Sequence, residues 1–195
     1  MPRGLARDHD DKRAAIRKGA AGYFAEHGFD RASMAGAAKA CGVSKALLYH
    51  YHPSKEALLF DILDAHLSDV VAVVAEVPET APDARLKALI RAILMAYRDA
   101  DAEHRLQLDA LNALAPEQKA RLRAYQRQLV DTLGVTLASL RPGLEGDRLQ
   151  AATMSVFGML NWFFLWHRPG RGVTREAYAD LVADMVLGGL PGVLL

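Results

Sequence analysis

The chain has 195 residues, of which 51% are hydrophobic and 24% charged, so it carries enough apolar content to bury a core and too much for a disordered or collagen-like chain. A formal net charge of +1 excludes a protein that is basic or acidic throughout. That average conceals an asymmetry: residues 1–60 hold ten Lys and Arg against six Asp and Glu, and residues 61–195 hold fourteen against seventeen. The single cysteine, Cys41, excludes an internal disulfide, and the charged start (Arg3, Arg7, Asp8, Asp10, Asp11, Lys12) has no apolar leader core. A cytoplasmic protein is expected.

Apolar residues recur at intervals of three and four, and period-two alternation is nowhere sustained, which predicts an all-α fold. The breaks at Gly28, Gly42, Pro53, Pro78 with Pro82, Pro116, Pro142 with Gly143, and Pro169 to Gly172 leave room for nine helices. The first is predicted from about Asp11 to His27, with Ile16, Ala20, Tyr23, Phe24 and His27 on one face. Ser33 then caps a short helix ending near Cys41, Ser44 a second to about Tyr51, and Ser54 a long one from Lys55 to about Val77. Five more are predicted over about 83–100, 103–114, 117–140, 147–167 and 174–190. Within the eighth, Leu149 to Trp166 carries no formal charge, but Gln150, Thr153, Ser155 and Asn161 interrupt it, so it reads as a helix covered by protein rather than a membrane span.

Two short capped helices joined at Gly42 and braced by a preceding helix make a helix-turn-helix, whose second helix is sized for a DNA major groove. Capped N-termini at Ser33 and Ser44 offer backbone amides to phosphates, Lys45 reaches a base edge or phosphate, and Lys55 meets a flanking phosphate. Spacing puts Val43, Leu48 and His52 inward and leaves Lys45, Ala46, Leu47, Tyr49 and His50 outside. An outward Leu47 suits contact with a thymine methyl. On caps and charge alone, a purely structural hairpin is the alternative.

The stretch from about Arg13 to Leu67 resembles the DNA-binding domain of TetR/AcrR-family transcriptional regulators. The resemblance rests on Ala25-Glu-His-Gly-Phe29 ending the first helix, Ser33-Met34 opening the second, Cys41-Gly-Val-Ser-Lys45 at the turn, and Leu48-Tyr-His-Tyr-His-Pro-Ser-Lys-Glu-Ala-Leu58. It implies nine helices, a homodimer formed by the last two, a palindromic double-stranded operator, and a small-molecule pocket in the C-terminal body. It also implies DNA contacts at Ser33, Lys45, Tyr49, His50 and Lys55, with Tyr49 on a phosphate. The chain departs from that pattern at His52, where an aromatic usually plugs the head, and at Ala37 beside Gly36, where a larger aliphatic is common. A loosely packed, locally unstable stretch over residues 33–52 is therefore expected. The expected division is a DNA-binding domain over 1–54 and a ligand-binding and dimerisation domain over 55–195.

In the body, Met154, Phe157, Gly158, Asn161, Trp162, Leu165 and Trp166 follow helical spacing, as do Tyr178, Leu181, Val182, Met185, Val186 and Leu190. Two such helices suit a two-fold intermolecular bundle, with Met154, Gly158, Trp162, Tyr178, Leu181 and Met185 at its interface; packing within a monomer is the alternative. A dimer would place two heads about 34–36 Å apart, on successive major grooves. The pocket is expected around Met95, Arg98, Leu108, Asn112, Tyr125, Phe157 and Trp166, where a buried Asn112 amide would need a partner. The segments His104–Leu114 and Phe157–Gly170 also look like those of regulators of acyl-CoA or aromatic-acid catabolism, which implies a carboxylic acid or its CoA thioester as inducer, anchored by Arg98 or Arg105.

Catalysis is not expected. No metal-ligand spacing, phosphate-binding Gly loop or nucleophile elbow occurs, so neither a metal nor a cofactor is expected. The function expected is that of a repressor whose long fourth helix, swung by an inducer, changes the spacing of its heads and releases DNA. An activator, or a helical interaction module without DNA binding, is the alternative.

Overall fold

The computed structural model describes residues 3–168 and 170–193, with side chains from His9 onward; the break expected at Pro169 lies outside the described residues. Among these residues nine α-helices and no strand are present: α1 (Arg3–His27), α2 (Met34–Ala40), α3 (Lys45–Tyr51), α4 (Lys55–Ala75), α5 (Pro82–Ala96), α6 (Asp101–Asp109), α7 (Pro116–Leu140), α8 (Gly146–Trp166) and α9 (Arg175–Gly189). The all-α expectation holds. So does the cap logic: the hydroxyls of Ser33, Ser44 and Ser54 accept from the amides of Gly36, Leu47 and Ala57 at 3.0 to 3.1 Å.

Three boundaries differ from expectation, each for a local reason. Helix α1 begins at Arg3 rather than near Asp11, and Ala6 and Arg7 in the added turns are strong helix formers. Helix α5 stops at Ala96, and Asp99 just beyond takes a left-handed φ of 61°, which Asp tolerates better than most residues. Helix α6 ends at Asp109 and gives way to a 3-10 turn over Leu111–Ala113. The helical spacing that would set Asn112 beside Leu108 therefore does not continue, and Asn112 is exposed rather than buried.

The chain forms two compact units. One, the head unit, comprises the chain up to His66 together with Asp99–Leu122; the other, the body unit, comprises Leu67–Arg98 together with the chain from Arg123 onward. The unit holding the helix-turn-helix is thus larger than the three-helix head that the sequence suggests, since the first half of α4, all of α6 and the start of α7 belong to it. Its core takes Ile16, Ala20 and Phe24 from α1, Leu48 from α3, Leu58, Leu59, Ile62 and Leu63 from α4, and Leu106 from α6. His27, expected on the inner face of α1, is exposed, with Nδ1 3.0 Å from the Tyr23 carbonyl. The body unit is built on one apolar cluster that includes Leu86, Ile90 and Leu94 of α5, Leu133 and Leu137 of α7, Phe157 and Phe163 of α8, and Val182 and Val186 of α9. No described helix is long and apolar enough to cross a membrane.

Candidate DNA-binding head and ligand site

Helix α3 is about two turns of helix whose position is set from behind. Leu48 is fully buried, His52 follows it into the core, and Gly42 turns the chain at a φ of 64°. The opposite face is left to solvent: Lys45, Ala46, Tyr49 and His50 are exposed, while Leu47 is half-buried at the edge. Lys45 Nζ stands 5.8 Å from the centre of the Tyr49 ring one turn on, so a cation and a phenol share one side of the helix. Ser33 and Ser44, at the starts of α2 and α3, are exposed as well.

The position where the resembled pattern has an aromatic is occupied by an ionic cluster. His52 is 2% exposed, and its Nε2 lies 3.7 Å from Asp61 of α4. Asp61 also accepts from Arg13 Nε at 3.0 Å and pairs with Arg17 at 3.6 Å. Burial holds the His52 imidazole below its ordinary pKa; Asp61 works against that shift, and Arg13 and Arg17 reinforce it. The looseness expected at Gly36 and Ala37 is not built in, because the Tyr23 ring of α1 fills that space. A Cβ on Gly36 would overlap the Tyr23 hydroxyl and ring, and Ala37 is fully buried.

Lys55, expected to meet a flanking phosphate, is engaged within the chain. Its Nζ donates to the carbonyls of Phe29 at 2.8 Å, Ala32 at 3.1 Å and Asp30 at 3.2 Å, and lies 4.4 Å from the centre of the Phe29 ring. A phosphate contact therefore competes with an existing cradle.

A polar cluster that sequence spacing does not reveal lies in the same unit. Lys18 of α1 donates to the Asp99 carbonyl and to Glu103 of α6, whose carboxylate is 3.3 Å away and nearly buried. Beside it the buried rings of His66 (α4) and His104 (α6) stand 6.4 Å apart. Burial, with smaller contributions from His104 and Lys18, lowers the His66 pKa to about 4, so this imidazole is neutral at physiological pH. The one signal in the sequence is a histidine set among the leucines and isoleucines of α4.

The seven residues expected to line a pocket are divided between the two units. Leu108 and Asn112 are exposed in the head unit; Met95, Arg98, Tyr125, Phe157 and Trp166 belong to the body unit. Phe157 is core, whereas Trp166 is 48% exposed and packs against Phe163 and Tyr178. Arg98 is not a free anionic anchor: it pairs with Glu176, which continues a ladder between α5 and α9 with Lys87 to Asp184 at 3.0 Å and Arg91 to Asp180 at 3.8 Å. A hydrogen bond to its own backbone at the start of α9, aided by Arg98, holds the Glu176 carboxyl below its ordinary pKa. Arg105 is exposed. A cavity of about 760 Å³ opens instead between α7 and α8, with Arg123, Arg127, Asp131 and Gln150 around an apolar lining that includes Val130, Leu149 and Met154.

Of the residues expected at a dimer interface, Met154, Trp162, Leu181 and Met185 are 48 to 61% exposed and Gly158 is exposed beside them. Tyr178 differs. It stacks on Phe163 at 4.6 Å and donates its hydroxyl to the Met159 carbonyl, so it belongs mainly to the packing of α8 on α9. Among the described residues no cluster of three or more His, Cys, Asp or Glu is placed to hold a metal ion.

A capped helix-turn-helix on an all-helical chain defines a class, the helix-turn-helix regulators. The chain belongs to the TetR family. Residues 16–62 match the family described as bacterial regulatory proteins of the tetR family, and residues 79–190 match the tetracyclin repressor-like C-terminal domain. It is 29% identical to the HTH-type transcriptional repressor KstR2 of Rhodococcus jostii (strain RHA1) over 88% of this chain and 87% of that protein. It is 24% identical to the HTH-type transcriptional activator FasR of Mycolicibacterium smegmatis over 99% of this chain and 89% of that one. Among solved structures, AibR in complex with isovaleryl coenzyme A and operator DNA superposes with a TM-score of 0.75 and 28% identity, covering 89% of this chain and 97% of that one. The protein is thus a DNA-binding regulator of the TetR type.

Proposed function

We propose that this regulator is a cytoplasmic, homodimeric repressor without catalytic activity, released from a palindromic operator by a small carboxylic acid or its CoA thioester. The observation that carries the reading is the solvent-facing side of α3, where Lys45, Ala46, Tyr49 and His50 stand together at the front of a capped helix-turn-helix. In this reading residues 1–54 bind DNA, with Ser33, Ser44 and Leu47 completing the contact surface, and residues 55–195 bind ligand and dimerise. Exposed Met154, Gly158, Trp162, Leu181 and Met185 support a face for a second copy, since large apolar side chains grouped on two adjacent helices mark interaction surfaces.

The ligand class is supported by the cavity between α7 and α8. Its volume of about 760 Å³ lies in the range of small-molecule sites, and an apolar lining with Arg123 and Arg127 suits an acyl chain that carries an anionic group. The likeness to AibR, which has been crystallised with isovaleryl coenzyme A, points the same way. The likeness to the activator FasR favours activation as the second reading.

A gel shift of the purified protein on its own upstream DNA, at stated salt with competitor DNA, tests this. A specific shift relieved by one of a panel of short- and medium-chain acyl-CoAs or aromatic acids is expected, and Arg127→Ala should weaken that relief. Saturating ligand that leaves operator affinity unchanged would overturn release, because a ligand shifts an equilibrium only through differential affinity for its two states.

A further inference from the structure

We propose that Lys55 is a positioning residue: its ammonium clamps the α1–α2 turn to the first turn of α4 and so fixes where α2 begins, rather than neutralising a DNA phosphate. The inference rests on the reading that the head unit binds DNA. An ammonium has three donors and no acceptor, and here three carbonyls, those of Phe29, Asp30 and Ala32, take them all within 3.2 Å.

The convergence of those carbonyls follows from the chain. Gly28 ends α1 at a φ of 78°, which turns the next carbonyls toward one point at the negative end of the helix. Phe29, 7% exposed and edge-on to Phe24 at 5.4 Å, anchors the turn in the core and supplies a ring face for the same ammonium. Ala32 is the last residue before Ser33, the cap of α2. A displacement of the start of α4 is therefore passed through one side chain to the start of α2. Lys45, by contrast, stands exposed on the outward side of α3 and is the cation placed to meet a phosphate or base.

The two roles separate in their salt dependence. Each lost phosphate contact lowers the slope of log affinity against log salt by about 0.9, whereas a positioning residue changes affinity and leaves the count of phosphates alone. The probe is a fluorescein-labelled duplex selected by the wild-type protein from a random-sequence pool and titrated at several salt concentrations. Lys55→Met and Lys55→Arg should both bind at least about tenfold more weakly at the wild-type slope, since a planar guanidinium cannot place three donors into a cradle shaped for an ammonium. Lys45→Ala, as comparator, should flatten the slope by about 0.9 per head. In free Lys55→Met, shown folded by its circular dichroism, the Ala32 amide, bonded to the Gly28 and Phe29 carbonyls, should exchange faster than in the wild type. A flattened slope in Lys55→Met with affinity and slope restored in Lys55→Arg would overturn the proposal in favour of a phosphate contact. Unchanged Ala32 exchange would overturn the clamp without reference to DNA, and a wild-type protein that selects no duplex would overturn the DNA-binding reading itself.

Discussion

In the head unit, Asp61 gathers Arg13, Arg17 and His52 at the back of α3, and Lys18, Glu103, His66 and His104 form a second polar cluster. The body unit's cluster from Val70 to Leu190 is made of hydrophobic residues, and the ion pairs of α5 and α9 are confined to exposed side chains. Both units bury Leu, Ile and Phe, yet the first also buries His52, His66, Glu103 and His104, against Tyr97 and Arg175 in the second. Polar clusters depend on geometry and protonation, whereas apolar ones depend on volume. The head unit should therefore respond to acid and to single atoms, and the body unit to lost bulk.

The largest effect expected is in the body. Phe163, fully buried among α8 and α9, should cost about 3–5 kcal/mol when replaced by Ala, measured by urea unfolding; a loss under about 1 kcal/mol would show that the body repacks freely. Next comes acid. His66 has a folded pKa of about 4 against 6.5 when unfolded, so the unfolded chain binds the extra proton first. Its neutral burial is fully compatible with folding above about pH 6.5, and stability falls as pH drops from there toward about 4, by up to about 3 kcal/mol. His66→Phe should flatten that limb of the stability profile, and an unchanged limb would assign it to another group.

Smaller effects test how closely the head is packed. Gly36→Ala drives a methyl into Tyr23 and should destabilise by about 1–3 kcal/mol, with Tyr23→Phe partly relieving it through loss of the hydroxyl. A neutral Gly36→Ala would restore the looser head expected from the sequence. Ser44→Ala should cost about 0.5–2 kcal/mol through the lost cap on α3, and amide exchange at Leu47 should rise while the body's amides are unaffected.

Much of this was legible in the chain because it depends on neighbours. Serines at 33, 44 and 54 announce helix starts, glycines at 28 and 42 announce turns, and spacings of four and five send Leu48 and His52 inward. The same logic places Lys45, Tyr49 and His50 outward, since a seven-residue helix that buries one face has only the other to offer. Where a helix ended early the logic failed: the 3-10 turn at Leu111 removed Asn112 from the face to which its spacing assigned it.

Local pattern thus determined the helices, their caps and the outward face of α3, because caps and periodicity act within about four residues. Only the tertiary structure decided what each charge does. Lys55 turns to carbonyls 23 to 26 residues away, Arg98 meets Glu176 across 78 residues, and Asp61 draws Arg13 across 48. A long cationic side chain has many rotamers of similar energy, and packing of distant helices selects the one with partners. The same packing put Tyr23 into the space above Gly36 and opened the cavity between α7 and α8, volumes that no stretch of sequence encodes by itself.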